Sequence, residues 1–220
     1  MSPSSILCLA MPVVFKTRNP VEDDWKFGSA VPPARHPQPH ATEVLRRCGP
    51  NAALVEAHYK GQQSPWGFIS YNAHSVAFVV TATNTEGVLC VNMVEQWRVT
   101  DAASLEVPAG GASSLQEALR GELEPEVGIP IEAIDSVTVF RPLAAEVCRA
   151  VHEQGGPKSV HVVHVRLRDG VPLNVHQYSD GQDEHVKGFW VSVSDLKELV
   201  KTERVVDIVT LTALMRCLDL

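Results

Sequence analysis

The chain has 220 residues, enough for one well-buried domain with extensions, and its 45% hydrophobic and 20% charged residues form an ordinary globular mixture. Its net charge of −7 argues against broad binding to a phosphate backbone. The five scattered cysteines lack Cys-x-x-Cys spacing, which favours reduced thiols over a disulfide framework or a zinc site. No apolar run reaches the length of a membrane span. We therefore expect an intracellular, cytoplasmic protein without a membrane partner, and leave organellar targeting open.

The first fifty or so residues are punctuated by proline, which blocks helix interiors and sheet hydrogen bonds. Within them, residues 42–48 are interpreted as a short helix. We divide the chain into a Pro-rich, partly ordered N-terminal extension at 1–55 and a second domain at 56–220. The extension could supply an edge strand or a dimer contact, so a homodimer is one assembly that we consider.

The strongest strand signals come next, in two β-branched segments at 75–82 and 88–98 that a polar turn joins as a predicted hairpin. The later elements are predicted from their periodicity as strands at 135–141, 158–167 and 189–193, and as helices at 194–200, with Ser194 as N-cap, and 207–218. Strands and helices do not alternate regularly, so this order favours an α+β fold with a mixed sheet between helices.

Residues 105–129, LEVPAGGASSLQEALRGELEPEVGI, combine a strand end, a glycine turn and a short acidic helix that a glycine ends. Glu122 and Glu126 are four apart and so share a helix face. Two such carboxylates suit a hard divalent cation, although an acidic helix face is often only a solvated face. The glycine turn lets the backbone approach a ligand closely and can offer its groups to phosphate oxygens.

This stretch resembles the Nudix box of pyrophosphohydrolases. The matching positions of its second half are Glu122, Leu123, Glu126, Gly128 and Ile129. Gly121 stands in place of the expected Arg, and Pro125 in place of the first Glu of a pair. The first half is about four residues short, and its isolated Glu has no counterpart. Segments 94–98 and 105–110 are similar to those that precede the box in the ADP-ribose and ADP-sugar branch.

The resemblance implies a Nudix fold, an α/β/α sandwich with a mixed sheet, over roughly 75–218. It also implies Mg²⁺ or Mn²⁺ on the Ala109 carbonyl, Glu122 and Glu126. The implied catalytic residues are Glu122 and Glu184, the latter from loop 178–188 with Asp183 and Asp180 as substitutes. The implied substrate contacts are Trp97, Arg98, Glu106, Gly110 and Gly111. Two of these keep an alternative, because Trp97 could be a core or edge residue and Glu106 could simply face solvent.

The function implied is a pyrophosphohydrolase that cleaves the diphosphate of a nucleotide-type small molecule such as ADP-ribose or an ADP-sugar. The alternative is a catalytically impaired or inactive Nudix-fold protein that works as a ligand-binding or interaction subunit. RNA cap hydrolysis uses the same fold, but the acidic balance makes a nucleic-acid partner unattractive. Pro125 motivates the alternative, because proline inside a helix costs about 3 kcal/mol. We expect the helix to end near Glu124 or to kink between Glu122 and Glu126.

Overall fold

The computed structural model describes residues 15–17, 41–47, 52–58, 60–61, 63–64, 66–71, 75–98, 101–140, 143–144, 159–179 and 185–218. None of the helices in these ranges is long and apolar enough to cross a membrane. The boundary that we propose between the extension (1–55) and the domain (56–220) falls inside a strand, Ala52–His58.

The strands, in chain order, are β1 Phe15–Thr17, β2 Ala41–Arg47, β3 Ala52–His58, β4 Trp66–Tyr71, β5 Ser75–Thr83, β6 Leu89–Arg98, β7 Asp101–Glu106, β8 Ala109–Gly111, β9 Ile134–Val139, β10 Leu143–Ala144, β11 Ser159–Leu167, β12 His176–Ser179 and β13 His185–Ser192. The helices are α1 Leu115–Ala118, a π-helical turn Leu119–Leu123, α2 Glu124–Val127, a 3₁₀ turn Ile131–Ala133, α3 Val193–Lys201 and α4 Ile208–Cys217. The first three helical pieces are continuous, and we call residues 115–127 the box helix.

The main sheet of the described residues is mixed, as predicted. Its strand order is β1-β9-β11-β5-β6-β13-β12, with β10 on β11, β7 on β6 and β8 on β5. Only β11 and β5 pair in parallel, while the other pairs are antiparallel. A second, three-stranded sheet has the order β2-β3-β4.

Helices cover both faces of the main sheet, which confirms the predicted sandwich. The core on one face takes Leu115, Leu119 and Leu123 from the box helix, and the core on the other takes Leu196 from α3 and Leu214 from α4. Strand β11 alternates between the two, with Val163 and Val165 in the first core and Val160 and Val162 in the second. The valines of β11 are therefore buried on both sides of the sheet, and each such side chain contributes about 1.5–3 kcal/mol.

The predicted hairpin is confirmed as β5 and β6. The Asn84 side chain closes its turn by accepting from the N–H groups of Glu86 and Val88, each at 2.9 Å. Gly87 follows with a φ of 78°, which only glycine adopts readily. Strands β5 and β6 pair with each other next to this turn, from Thr81 opposite Val91 to Thr83 opposite Leu89.

Two local predictions are wrong. Residues 42–47 are not helical but belong to β2, which pairs with β3. Pairing with a neighbouring strand overrides a weak helical propensity, and residue 48 of the predicted helix lies outside the described residues. Helix α3 begins earlier than predicted, because Ser192 and not Ser194 is its N-cap and accepts from the Asp195 N–H at 3.0 Å. Asp207 caps α4 by accepting from the Thr210 N–H at 2.6 Å.

Candidate metal and substrate site

The box helix is fixed at its start by two neighbouring serines. Ser114 is the N-cap and accepts from the Glu117 N–H at 3.2 Å. The Glu117 carboxylate reaches back and accepts from the Ser113 N–H at 2.8 Å and from its hydroxyl group. This reciprocal arrangement satisfies donors that a helix N-terminus otherwise leaves open. Glu117 is thereby engaged in capping, and the helix begins only four residues after Gly111.

The box helix passes through Pro125 without ending. The Glu124 N–H bonds to the Leu119 carbonyl five residues back, which makes the preceding turn π-helical. Pro125 then falls in the first turn of α2, where a missing N–H is tolerated. Gly128, with a left-handed φ of 72°, ends the helix as predicted. Of the two expected alternatives, an end near Glu124 or a kink between Glu122 and Glu126, the first does not occur, because a π turn accommodates the proline.

The carboxylate of Glu122 lies directly against Gly110 of β8. A Cβ atom built on Gly110 would be 2.0 Å from Glu122 Cδ and 2.0 Å from Oε2. No real side chain tolerates such an approach, so glycine is required at this position for the observed geometry. The structure therefore brings Glu122 to the glycine turn.

The carbonyl of Ala109, the neighbour of Gly110, points away from β5. Residues opposite each other in an antiparallel pair alternate between hydrogen-bonded and non-hydrogen-bonded positions. The Phe78 N–H donates to the Pro108 carbonyl at 2.8 Å, which makes that pair hydrogen-bonded. Ala109, opposite Ala77, then falls in a non-hydrogen-bonded position. Its carbonyl oxygen consequently faces the edge of β8 that pairs with no other described strand.

Glu126 lies in the last turn of the box helix, which packs against β6, β12 and β13. Its side chain is only 4% exposed. Its backbone oxygen would be 3.0 Å from a Cβ on Gly188, so a second glycine allows the helix to lie this close to β13. Glu122 is thus placed over β8 and Glu126 over β13, on the same face of the sheet.

A divalent cation fits this set of oxygen atoms by its chemistry. The described residues contain no group of three or more His, Cys, Asp or Glu side chains that could hold a metal ion. A cation would therefore depend on the Ala109 carbonyl together with Glu122 and Glu126, an all-oxygen set of the kind that Mg²⁺ and Mn²⁺ prefer.

Of the predicted substrate and catalytic residues outside the box, the structure describes some completely and others only in part or not at all. Glu106 is 7% exposed and lies opposite Val94, so the alternative that it faces solvent is wrong. Trp97 and Arg98 form the end of β6, where the pairing with β7 shifts between them. Their side chains, and the whole of Glu184, Asp183 and Asp180, lie outside the described residues.

Two residues near the site were not predicted, Asn92 and Gly188. Both lie on the box-helix side of the sheet, because Gly188 is opposite Val94 and Asn92 is opposite Trp190, which packs in the core under the box helix. Their signal in the sequence is weak but real. Asn92 interrupts an otherwise apolar run, and Gly188 interrupts a strand, where glycine often marks a close backbone approach.

A mixed sheet between helices, with a glycine turn feeding a carboxylate-bearing helix, defines the class of fold. The family model of the NUDIX domain matches residues 73–210, which is more than half of the chain. The chain therefore belongs to the NUDIX domain family.

One similar solved structure is described as an ADP compounds hydrolase. The alignment has 13% identity and a TM-score of 0.52, and it covers 81% of this chain and 91% of that one. This likeness supports the same fold. A search of curated proteins finds no match to the sequence.

Proposed function

We propose that this chain is a metal-dependent pyrophosphohydrolase that cleaves the diphosphate of ADP-ribose, an ADP-sugar or a related nucleoside diphosphate derivative. The observation that carries the proposal is the contact of the Glu122 carboxylate with Gly110. This contact lies beside the Ala109 carbonyl, which points away from β5.

In this proposal Mg²⁺ or Mn²⁺ is held by the Ala109 carbonyl, Glu122 and Glu126. When bound, the cation neutralises phosphate charge and makes water a better nucleophile. The chain itself places these oxygens, because Gly110 leaves room for the Glu122 carboxylate and Glu126 is buried where the box helix packs over β13. Glu184 is proposed to accept the proton of the attacking water.

The substrate class rests on the strands beside the box. Segments 94–98 and 105–110 are similar to those of the ADP-ribose and ADP-sugar branch, and a structure with the same fold is described as an ADP compounds hydrolase. Arg98 would offer its planar fork to phosphate, and Trp97 its ring to a base. Buried Glu106 would accept from a ribose or an adenine amino group. Gly110 and Gly111 would bring backbone close to the diphosphate.

A second candidate is a Nudix-fold protein that binds a nucleotide without cleaving it. It is favoured by the absence of a third metal-ligating side chain from the site within the described residues. Pro125 occupies the position where the family pattern has one more carboxylate. A site restricted to one cation would lose the second ion of a two-metal mechanism, which shares the charge of the reacting phosphate.

Hydrolysis of a panel of ADP-ribose, ADP-sugars and dinucleoside diphosphates with Mg²⁺ or Mn²⁺ separates the two candidates. We expect metal-dependent turnover of at least one compound and a loss of about 100-fold or more in Glu122→Gln, because a positioned carboxylate ligand is removed. Glu124→Gln, two residues along the same helix, is the matched control and should keep its activity. Calorimetric binding of a nucleotide without turnover by the wild type would instead establish the second candidate.

A further inference from the structure

Asn92 is the most unusual buried polar residue of the described chain. It lies in the middle of β6 with 0% of its surface exposed. Neither its Nδ2 nor its Oδ1 atom has a hydrogen-bond partner within the residues that the structure describes. Burying an amide without partners costs the full desolvation of both groups, so such a residue calls for an explanation.

The amide lies beneath the last turn of the box helix. The position that a Cβ on Gly188 would take is 3.7 Å from Asn92 Nδ2 and 3.0 Å from the backbone oxygen of Glu126. The Asn92 amide and the backbone of Glu126 therefore both lie next to Gly188. The Oε2 atom of Glu126 is itself buried. An amide donor thus lies close to the residue that the proposed function makes a metal ligand.

We infer that Asn92 is a positioning residue for Glu126. The Asn92 amide would donate a hydrogen bond to the Glu126 carboxylate and so hold it in one orientation for a cation. Ligating carboxylates generally have such partners, and loss of a partner weakens metal binding about 10- to 100-fold. The inference rests on the proposed function, because it requires a cation on Glu126.

A buried polar residue with a purely structural role would have its hydrogen-bond partners within the fold. Thr81 of β5 is an example on the opposite face of the sheet, where it is 3% exposed and its hydroxyl group bonds to His164 Nε2 at 2.8 Å. Removing the Thr81 hydroxyl should lower stability, since a satisfied bond is lost. Removing the Asn92 amide should not lower stability, because the amide makes no hydrogen bond within the described part of the metal-free fold.

The test compares Asn92→Leu with Thr81→Val in full-length, metal-free protein. Mn²⁺ affinity is measured from the spin-resonance signal of free Mn²⁺, and stability from thermal unfolding. We expect Asn92→Leu to bind Mn²⁺ at least about tenfold more weakly, with a melting temperature equal to or above that of the wild type. Thr81→Val should melt lower and bind Mn²⁺ normally. Asn92→Ala, which adds no bulk beside Gly188, should weaken Mn²⁺ binding to a similar degree.

A double-mutant cycle tests whether Asn92 acts through Glu126. In a Glu126→Gln background, Asn92→Leu should change Mn²⁺ affinity by less than about twofold, because the group that it positions is gone. An unchanged Mn²⁺ affinity in Asn92→Leu would overturn the inference and leave the proposed function standing. If Asn92→Leu weakens Mn²⁺ binding tenfold or more in the Glu126→Gln background as well, the inference is also overturned. Absence of Mn²⁺ binding by the wild type would overturn both.

Discussion

Replacing Gly110 by alanine tests the central contact of the site. The new methyl group would lie 2.0 Å from Glu122 Cδ, so the carboxylate would have to move by about 1.5 Å to reach an ordinary contact of roughly 3.5 Å. A misplacement of about 1 Å can cost on the order of 100-fold in rate. We therefore expect Gly110→Ala to lose about 100-fold in kcat/KM and about 10- to 100-fold in Mn²⁺ affinity.

The same substitution should change stability much less. The atoms that the methyl group meets belong to the end of a flexible, half-buried side chain, which can rotate away. Overpacking costs about 1–3 kcal/mol where neighbours cannot move, and the loss of glycine from the unfolded chain returns about 0.4–1 kcal/mol. The free energy of unfolding should accordingly fall by no more than about 2 kcal/mol.

Gly121→Ala is the matched control. Gly121 lies in the π turn, one residue before Glu122, and a Cβ there would have no neighbour within 4 Å. Alanine should stabilise the helix by about 1 kcal/mol, or roughly 2–4 °C, and leave turnover unchanged. Activity is measured with the substrate found in the panel, and stability by thermal unfolding. If Gly110→Ala retains wild-type Mn²⁺ affinity, the contact of Glu122 with Gly110 is not needed for Glu122 to bind the cation, and the reasoning is refuted.

Two further predictions concern the other side of the sheet. Ser192→Ala should destabilise the protein by about 1 kcal/mol in chemical unfolding and Ser194→Ala by much less, because only Ser192 caps α3; equal effects would contradict this assignment. Burial, and secondarily Arg166, lowers the pKa of His164 below 6.5, so the unfolded chain takes up a proton before the folded chain does. Stability should therefore decline as the pH falls below about 6.5, and His164→Gln should show a smaller drop in melting temperature between pH 7 and pH 5. An equal drop in both proteins would exclude His164 as the cause.

The elements that the sequence predicted well are those with strong periodic burial. In segment 158–167 the apolar residues at alternate positions enter different cores, Val163 and Val165 one and Val160 and Val162 the other. Where local signals are weak, tertiary contacts decide. Residues 42–47 pair with β3 instead of forming a helix. Whether Ser192 or Ser194 becomes the N-cap of α3 depends on where β13 ends. Asn92 could not be assigned a role, because its place beneath the box helix depends on sheet register.

The box helix shows most clearly why a motif match and its geometry are separate questions. The sequence preserves the four-residue spacing of Glu122 and Glu126, and Pro125 between them argues for a broken helix. The structure keeps the helix by moving the hydrogen bond of Glu124 one residue further back, to Leu119. A π turn closes with a bond to the fifth residue back and so contains one residue more than an α turn. Residues four apart across it therefore do not align as they do in an α-helix. Glu122 lies in this π turn with its carboxylate against Gly110, while Glu126 lies in the next α turn with its backbone next to Gly188 of β13. Metal affinity is therefore the quantity that measures whether both carboxylates reach one cation.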